Sequence, residues 1–544
     1  MSETALLSQP SIWLLLALLV LCVLYPIGGR LIRGYLLRRF TAVDELPLLG
    51  VGRAQKMNGT AVVCGGSISG LLAARVCADH FVNVVLIDPE LSEIQRTKPS
   101  TRIAQYDSLH GYLTFVLDGM RRLWPKFDAE LKAAGGHVAA GDVKPFFGGT
   151  LLPAPYEEYA ARAQPLPETM FARRPVLENV LRKLLLGAPS NVRTLVGSVR
   201  ALSVRERDGT PRVGAVLVRG ADGREVSLDE PELVIDCSGD SQAGLKWLKK
   251  CGYAMSPDIR LEYDQKLRYV TVTFTVDKAL SETLAIPGGY ENAGWIYTFV
   301  PDYNVGNAGF VLGKMDNDTM QLCCGGWGDV ALPLEPDAIE GYVRSCKGRE
   351  DVPEWLVDVL RELIKHGEPT FKPLKIRPCS YIRYQDVSGL PSNFVALGDS
   401  FLQLNPIYAQ GCSKAMMGAI TLNSLLAKVA PLASAGARVL PEDFSRSYFR
   451  HVGDHGDALW ESTKTFDYGF STTRPVKGET LQSGSFARWY LDMFIEAALK
   501  DKTCASAMWH VRMLLAPPTD MFTPSILWRV ASHALSARLS RLHQ

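Results

Sequence analysis

The segment Thr60–Asp88 constrains the fold more than any other. "TAVVC" is a short apolar run, "GGSISG" a glycine-rich turn, "GLLAARVCADH" an amphipathic helical pattern and "NVVLID" a second apolar run. In that order these pieces bury their apolar faces together as a parallel βαβ unit. Gly65, Ser67 and Gly70 stand at the Gly-x-Gly-x-x-Gly positions between strand and helix, with Gly66 in the same turn. The first position makes the turn, the second lies against a pyrophosphate, and the third lets the helix pack on the strand. Ser67 departs from the glycine usual at its position, but its side chain is small and its hydroxyl could reach a phosphate oxygen. The helix N-terminus adds backbone donors and a partial positive charge. Asp88 ends the second strand 18 residues after Gly70, where a carboxylate accepts hydrogen bonds from ribose hydroxyls. Turn and carboxylate together point to a dinucleotide without choosing which one.

The choice comes from a second segment roughly 330 residues later, "FVALGDSFLQLNPIYAQGCSKAMMGAITL". It places Gly398 and Asp399 after an apolar strand, and Pro406, Tyr408, Gln410 and Gly411 just before a helix. Here the chain resembles the FAD-dependent monooxygenase superfamily of aromatic hydroxylases and epoxidases. The resemblance implies that the Gly-Asp pair contacts the ribityl chain of FAD and that the Pro-x-x-Gly-Gln-Gly loop lines the flavin. Ala409 stands where that loop usually has its first glycine. Independently, a helix N-terminus at Gly411 aimed at the flavin would stabilise the negative charge that develops on reduction.

Three further stretches resemble a bacterial-type subgroup of these enzymes. They are "RIAQYDSLHGYLTFVLDGMRRLWP", with Arg102, Gln105 and His110; "RRPVLENVLRKLL", with Arg174; and "VIDCSGDSQAGLKWL", with Asp236 and Gly239. The resemblance makes Arg102, Gln105 and Arg174 candidate cofactor contacts. It extends from about Thr60 to Arg541 through "LWESTKTFDYG" and "LLAPPTDMFTP". The Asp-Gly pair associated with NADPH in the family aligns with Ser238-Gly239, so NAD(P)H as electron donor is an expectation from the family alone.

The expected architecture is α/β. A Rossmann-like FAD-binding domain is formed by 59–244 and 389–430, an antiparallel-sheet substrate domain by 245–388, and a helical region by 431–544. Alternating stretches such as "LRYVTVTFTVD" and "GWIYTFVP" carry the substrate sheet, with Tyr269, Phe274, Trp295, Tyr297 and Phe299 as pocket candidates or core. The last helix, "PSILWRVASHALSARLSRLHQ", puts Ile526, Leu527, Val530, Ala534 and Leu535 on one face, read as packing on the body.

Ahead of the body, Ile12–Gly29 runs 18 residues without a charge, just enough to cross a bilayer at about 1.5 Å per residue. No Lys or Arg precedes it, as a cleaved signal peptide would require. Arg30, Arg33, Arg38 and Arg39 follow it. The expectation is a transmembrane anchor within 1–40, a linker over 41–58, and a single-pass protein with its body on the cytosolic side, at the endoplasmic reticulum if eukaryotic.

A net charge of +2 with mixed signs offers no footprint for nucleic acid. The 11 cysteines include no Cys-x-x-Cys pair, so neither a metal site nor a disulfide framework is expected. No serine elbow or other nucleophile motif occurs, and His110 reads as a cofactor-shell or core histidine. No catalytic residue is assigned. The family implies insertion of one oxygen from O2 into a lipophilic substrate, by epoxidation or hydroxylation, in specialised metabolism. A flavin-dependent reductase of isoprenoid double bonds, a halogenase and an inactive membrane-tethered flavin-binding protein are the alternatives.

Overall fold

The computed structural model describes residues 27–93, 95, 96, 100–187, 190–253, 255–429 and 440–542. A five-stranded parallel sheet lies at its centre, in the order Phe394–Ala396, Leu233–Asp236, Met57–Cys64, Phe81–Ile87, Val192–Leu195. Its inner strands are buried on both faces, which is why they read as unbroken apolar runs. The helix Ile68–His80 covers the sheet beside the helix Gly411–Lys428. Small residues on both, Ala73, Ala74, Ala415 and Ala419, are buried, and His80 Nε2 meets Asn423 Oδ1 across the two helices at 2.9 Å. A three-stranded antiparallel meander, Gly197–Arg207, Thr210–Gly220 and Glu225–Asp229, links the outer strand Val192–Leu195 to Leu233–Asp236.

The second layer is a seven-stranded sheet in the order Thr370–Lys375, Leu267–Thr275, Thr319–Trp327, Ala308–Lys314, Trp295–Val300, Pro145–Phe147, Thr150–Leu151. Its pairs are antiparallel except Trp295–Val300 with Pro145–Phe147, which run parallel. Two of its strands thus come from a segment more than 100 residues before the rest. The helices Ala338–Ser345 and Glu354–His366 bury one face of this sheet around Phe274, Tyr297, Phe299 and Phe310. Helices Phe444–Asp467, Ser485–Ala498, Lys502–Arg512 and Pro524–Leu542 complete the α/β architecture with a helical C-terminal region. The last helix buries Ile526 and Val530 but leaves Leu527, Trp528 and Leu535 exposed.

The expected membrane anchor is corrected by the structure. Among the described residues no helix is long and apolar enough to cross a membrane. Residues 12–26 of the expected span lie outside the described residues. The helical stretch that is described, 27–40, carries Arg30, Arg33, Arg38 and Arg39, too many charges for a span. Arg33 pairs with Asp520 at 2.8 Å and Arg39 approaches Asp454 at 3.7 Å, so this stretch is fastened to the body. The single-pass topology, the membrane as a partner and the endoplasmic-reticulum location rested on that span and fall with it.

The stretch after this helix packs as well, with Ala42, Leu46 and Leu49 buried. It brings Glu45 to 3.4 Å from His451, one helical turn from the buried His455. Burial, together with the neighbouring His451, pushes His455 down to about 4. The fold therefore holds the neutral ring. Stability is complete above the unfolded value near 6.5 and falls as the pH drops towards 4, by about 3 kcal/mol from this residue. Urea titrations of the wild type between pH 7 and 4 should show this slope and His455→Gln should flatten it; an unchanged slope in the variant would refute the assignment.

Candidate functional site

The loops that leave the carboxyl ends of all five parallel strands converge on one cleft of about 790 Å³. This is where open parallel sheets bind their ligands. The glycine turn forms its floor. Gly65 has φ 125° and its N–H donates to the Ile87 carbonyl at 2.8 Å. A Cβ there would lie 2.2 Å from the Cys237 carbonyl oxygen, and one at Gly70 would lie 1.7 Å from the Gly65 oxygen. Strand, turn and helix are thus closed on one another through absent side chains. Asp88 completes this end: its Oδ2 accepts the Gly66 N–H at 3.0 Å and its Oδ1 the Glu90 N–H at 2.8 Å.

Ser67 caps the helix Ile68–His80 without a side-chain bond to it. Its hydroxyl instead donates to Glu178 at 2.6 Å and accepts from Arg174 at 3.0 Å. Arg174 Nε also donates to Glu178 Oε1 at 2.9 Å. Both residues begin the helix Arg174–Leu186, where a spacing of four places them on one face. Burial opposes the charge of Arg174, but the Glu178 carboxylate outweighs it and holds the guanidinium above its ordinary value. Arg96 adds a second cation, 2.8 Å from Glu90 and 3.8 Å from Glu178. The helix carries no acid in its first turn, so the floor combines oriented amides with guanidinium groups, the donor set of a pyrophosphate site.

At the other end, Asp399 lines the cleft half-exposed and is ion-paired to the buried Lys414. Next to it, Ser400 Oγ accepts the Gly239 N–H at 3.0 Å. Asp236 is fully buried, and its carboxylate accepts from the Ser238 and Gly244 amides at 2.9 and 2.8 Å, a turn-holding role. Burial holds its carboxyl above the usual range. Pro406, Ala409 and the helix start at Gly411 close this end. His110 lines the cleft with Nδ1 2.8 Å from the Ser108 carbonyl. Because a carbonyl only accepts, Nδ1 carries the proton. Burial and Arg174 push the ring down to about 4, so His110 is neutral at pH 7 and not a resident general acid.

Of the residues singled out from the sequence, Gly65, Gly66, Ser67, Asp88, Arg102, Gln105, Arg174, Asp399, Pro406 and Gly411 line this one cleft. Gly70 and Gly398 lie behind it: Gly398 has φ 70° and leaves room for Ser69. Gln410 accepts from Thr463 at 3.3 Å. Among the aromatic candidates Tyr269 lines the cleft and donates to Ser108 at 2.9 Å. Phe274, Tyr297 and Phe299 belong to the core on the far face of the sheet, and Trp295 packs on Phe171. Sequence reasoning missed Glu178, Arg96 and Lys414. Only Glu178 left a signal, as the acid four residues after Arg174. Leu109, Tyr269, Leu374, Ile376, Leu404 and Pro406 give the cleft an apolar wall towards the seven-stranded sheet.

No family model matches the chain. It is 25% identical over 513 residues to the Mycobacterium tuberculosis protein Rv3254, covering 89% of this chain and 95% of that protein. Among solved structures it is similar to a flavin-dependent brominase, with a TM-score of 0.54 and 14% identity over 90% of this chain and all of the brominase. A flavoprotein/dehydrogenase from Cytophaga hutchinsonii matches with a TM-score of 0.54 and 13% identity, over 90% of this chain and all of that one. The oxygenase of 2-methyl-3-hydroxypyridine-5-carboxylic acid matches with a TM-score of 0.50 and 14% identity, over 82% of this chain and 96% of the oxygenase. At these identities the likeness establishes the fold they share.

Proposed function

We propose that the cleft binds FAD and that the protein is a monooxygenase, taking electrons from NAD(P)H and placing one oxygen of O2 on a lipophilic substrate by epoxidation or hydroxylation. The observation that carries this reading is the continuity of the cleft. It runs from the glycine turn and Asp88, past Arg174 and Asp399, to the helix start at Gly411 and the apolar wall beyond. A dinucleotide with a redox ring needs a diphosphate cradle, a ribose acceptor and a positive dipole end in that sequence. The residues fit the group: without Cβ atoms at Gly65 and Gly66 the turn packs directly against Cys237, Asp88 and Leu91 and lines the cleft with backbone, and the donors at the floor are cationic or amide.

FAD bound here would supply the electron transfer and the activation of O2; the chain supplies position and electrostatics. Arg174, fixed by Glu178, and the amides of the turn would hold the diphosphate. Asp88 would receive the ribose and Asp399, held by Lys414, the polyol chain. The dipole of the helix from Gly411 favours negative charge at its N-terminus by roughly 0.3–1 kcal/mol or more when shielded from water. Neutral His110 offers Nε2 as an acceptor without adding a charge. The apolar wall around Leu374 and Ile376 would exclude water from the reacting face.

The purified full chain is expected to be yellow, to release FAD on denaturation, and to oxidise NADPH or NADH with O2 consumption that rises when a lipophilic alkene or phenol is added. A folded protein that takes up no flavin would sink the reading. Flavin uptake with no donor oxidation would leave a flavin-binding protein without turnover.

A further inference from the structure

Asp467 occupies a position that stability alone does not explain. It is the last residue of the 24-residue helix Phe444–Asp467, fully buried, and no cation pairs with it among the described residues. A carboxylate is disfavoured by burial and disfavoured again at the negative end of a helix dipole. Burial pushes its carboxyl up to about 6 despite the hydrogen bonds it receives. Four neutral donors converge on it from three other segments. Its Oδ1 accepts from Trp327 Nε1 at 2.9 Å, Asn405 Nδ2 at 2.9 Å and Tyr408 Oη at 2.8 Å. Its Oδ2 accepts from Tyr263 Oη at 2.8 Å.

These donors are not scattered. Asn405 and Tyr408 lie in the loop that leads to the helix start at Gly411, and Asn405 in turn accepts the Ile407 N–H at 3.1 Å. Pro406 and Ala409 of this loop line the cleft, and Ala409 is held at φ 57°. One helical turn before Asp467, Thr463 donates to Gln410 of the same loop. Trp327 ends the strand Thr319–Trp327 of the seven-stranded sheet and stacks on Phe470 with ring centroids 4.0 Å apart. Tyr263 ends the strand Arg260–Tyr263. One carboxylate therefore gathers the cleft-lining loop, the substrate-side sheet and the C-terminal helix.

We propose that Asp467 is a positioning residue that fixes the loop Asn405–Gln410 in register with the end of the seven-stranded sheet. Its contribution is the acceptor geometry of Oδ1, which takes three donors; Oδ2 needs only Tyr263, whose hydroxyl can reverse and accept. Asparagine with its oxygen at the Oδ1 position and its NH2 facing Tyr263 preserves the arrangement, whereas leucine abolishes it. What the loop faces rests on the cofactor reading given above; the clamp itself does not.

Hydrogen exchange on the full chain without added cofactor tests the clamp directly. In Asp467→Leu the amides of residues 407–411 are expected to exchange at least ten times faster, with the strand Met57–Cys64 unchanged, and Asp467→Asn should stay within threefold of wild type. Tyr408→Phe removes a single donor and should give a smaller, two- to fivefold increase, which keeps the test open if the leucine variant does not fold. Wild-type exchange in Tyr408→Phe, or loss in Asp467→Asn as large as in Asp467→Leu, would overturn the proposal. With FAD added, the visible circular dichroism of the bound flavin should change in Asp467→Leu and be restored in Asp467→Asn. If wild type binds no FAD, the cofactor reading falls while the exchange result still decides the clamp.

Discussion

Gly70→Ala is expected to yield a protein that retains no flavin through purification and unfolds at a clearly lower denaturant concentration than wild type. The new methyl group would sit 1.7 Å from the Gly65 carbonyl oxygen and 2.8 Å from its carbon. These are backbone atoms of a turn that cannot move away, because Gly65 is itself pressed against the Cys237 carbonyl. The helix Ile68–His80 must separate from the strand Met57–Cys64, and the amides of the turn are no longer aimed at one point. Overpacking of this kind costs about 1–3 kcal/mol or more in stability. Disordered donors should weaken FAD binding by at least about a hundredfold, equivalent to roughly 3 kcal/mol. Equilibrium dialysis against FAD and a urea melt measure the two effects. Wild-type affinity in this variant would show that the turn does not hold the cofactor.

Arg174→Ala should be nearly as damaging, for an electrostatic reason. Removing the guanidinium strips Glu178 of its closest cation while the carboxylate stays buried. Breaking a buried pair from one side costs about 3–5 kcal/mol, and the low end applies because Arg96 remains 3.8 Å away. The double variant Arg174→Leu with Glu178→Leu removes both charges, so it should recover most of the lost stability. It should not recover FAD affinity, since the cation proposed to hold the diphosphate is gone. A double variant that binds FAD like wild type would reduce Arg174 to a purely structural role.

Legibility in the sequence followed the range over which each feature is determined. The strand, turn, helix and acid of Thr60–Asp88 are set by neighbouring residues, and the structure has each of them where the spacing puts it. The Gly398–Gly411 segment was readable for the same reason. Glu178 stood in plain view beside Arg174, but its bond to Ser67 spans 111 residues and no local pattern announces it. Asp467 is linked to Tyr263 across 204 residues and to Trp327 across 140. Gln410 reads as a cleft residue in its motif, yet Thr463 draws its side chain into a bond with the neighbouring helix. The membrane span failed differently. An uncharged run satisfies a hydropathy rule by composition, while the arginine-bearing helix that follows is bound to Asp520 and Asp454, partners that hydropathy does not see.

The interleaving of the two sheets dictates an order of assembly during synthesis. The hairpin of Pro145–Phe147 and Thr150–Leu151 leaves the ribosome long before Trp295–Val300, the strand on which Pro145–Phe147 pairs, and Leu233–Asp236 must wait for Phe394–Ala396. Until then a growing chain displays two unpaired strand edges, each a template for pairing with the wrong partner. The cleft acquires its last wall only after the helix Gly411–Lys428 has emerged. Truncated chains ending before residue 390 should accordingly aggregate and recruit chaperones, and the proposed cofactor could be captured only late in the life of the nascent polypeptide.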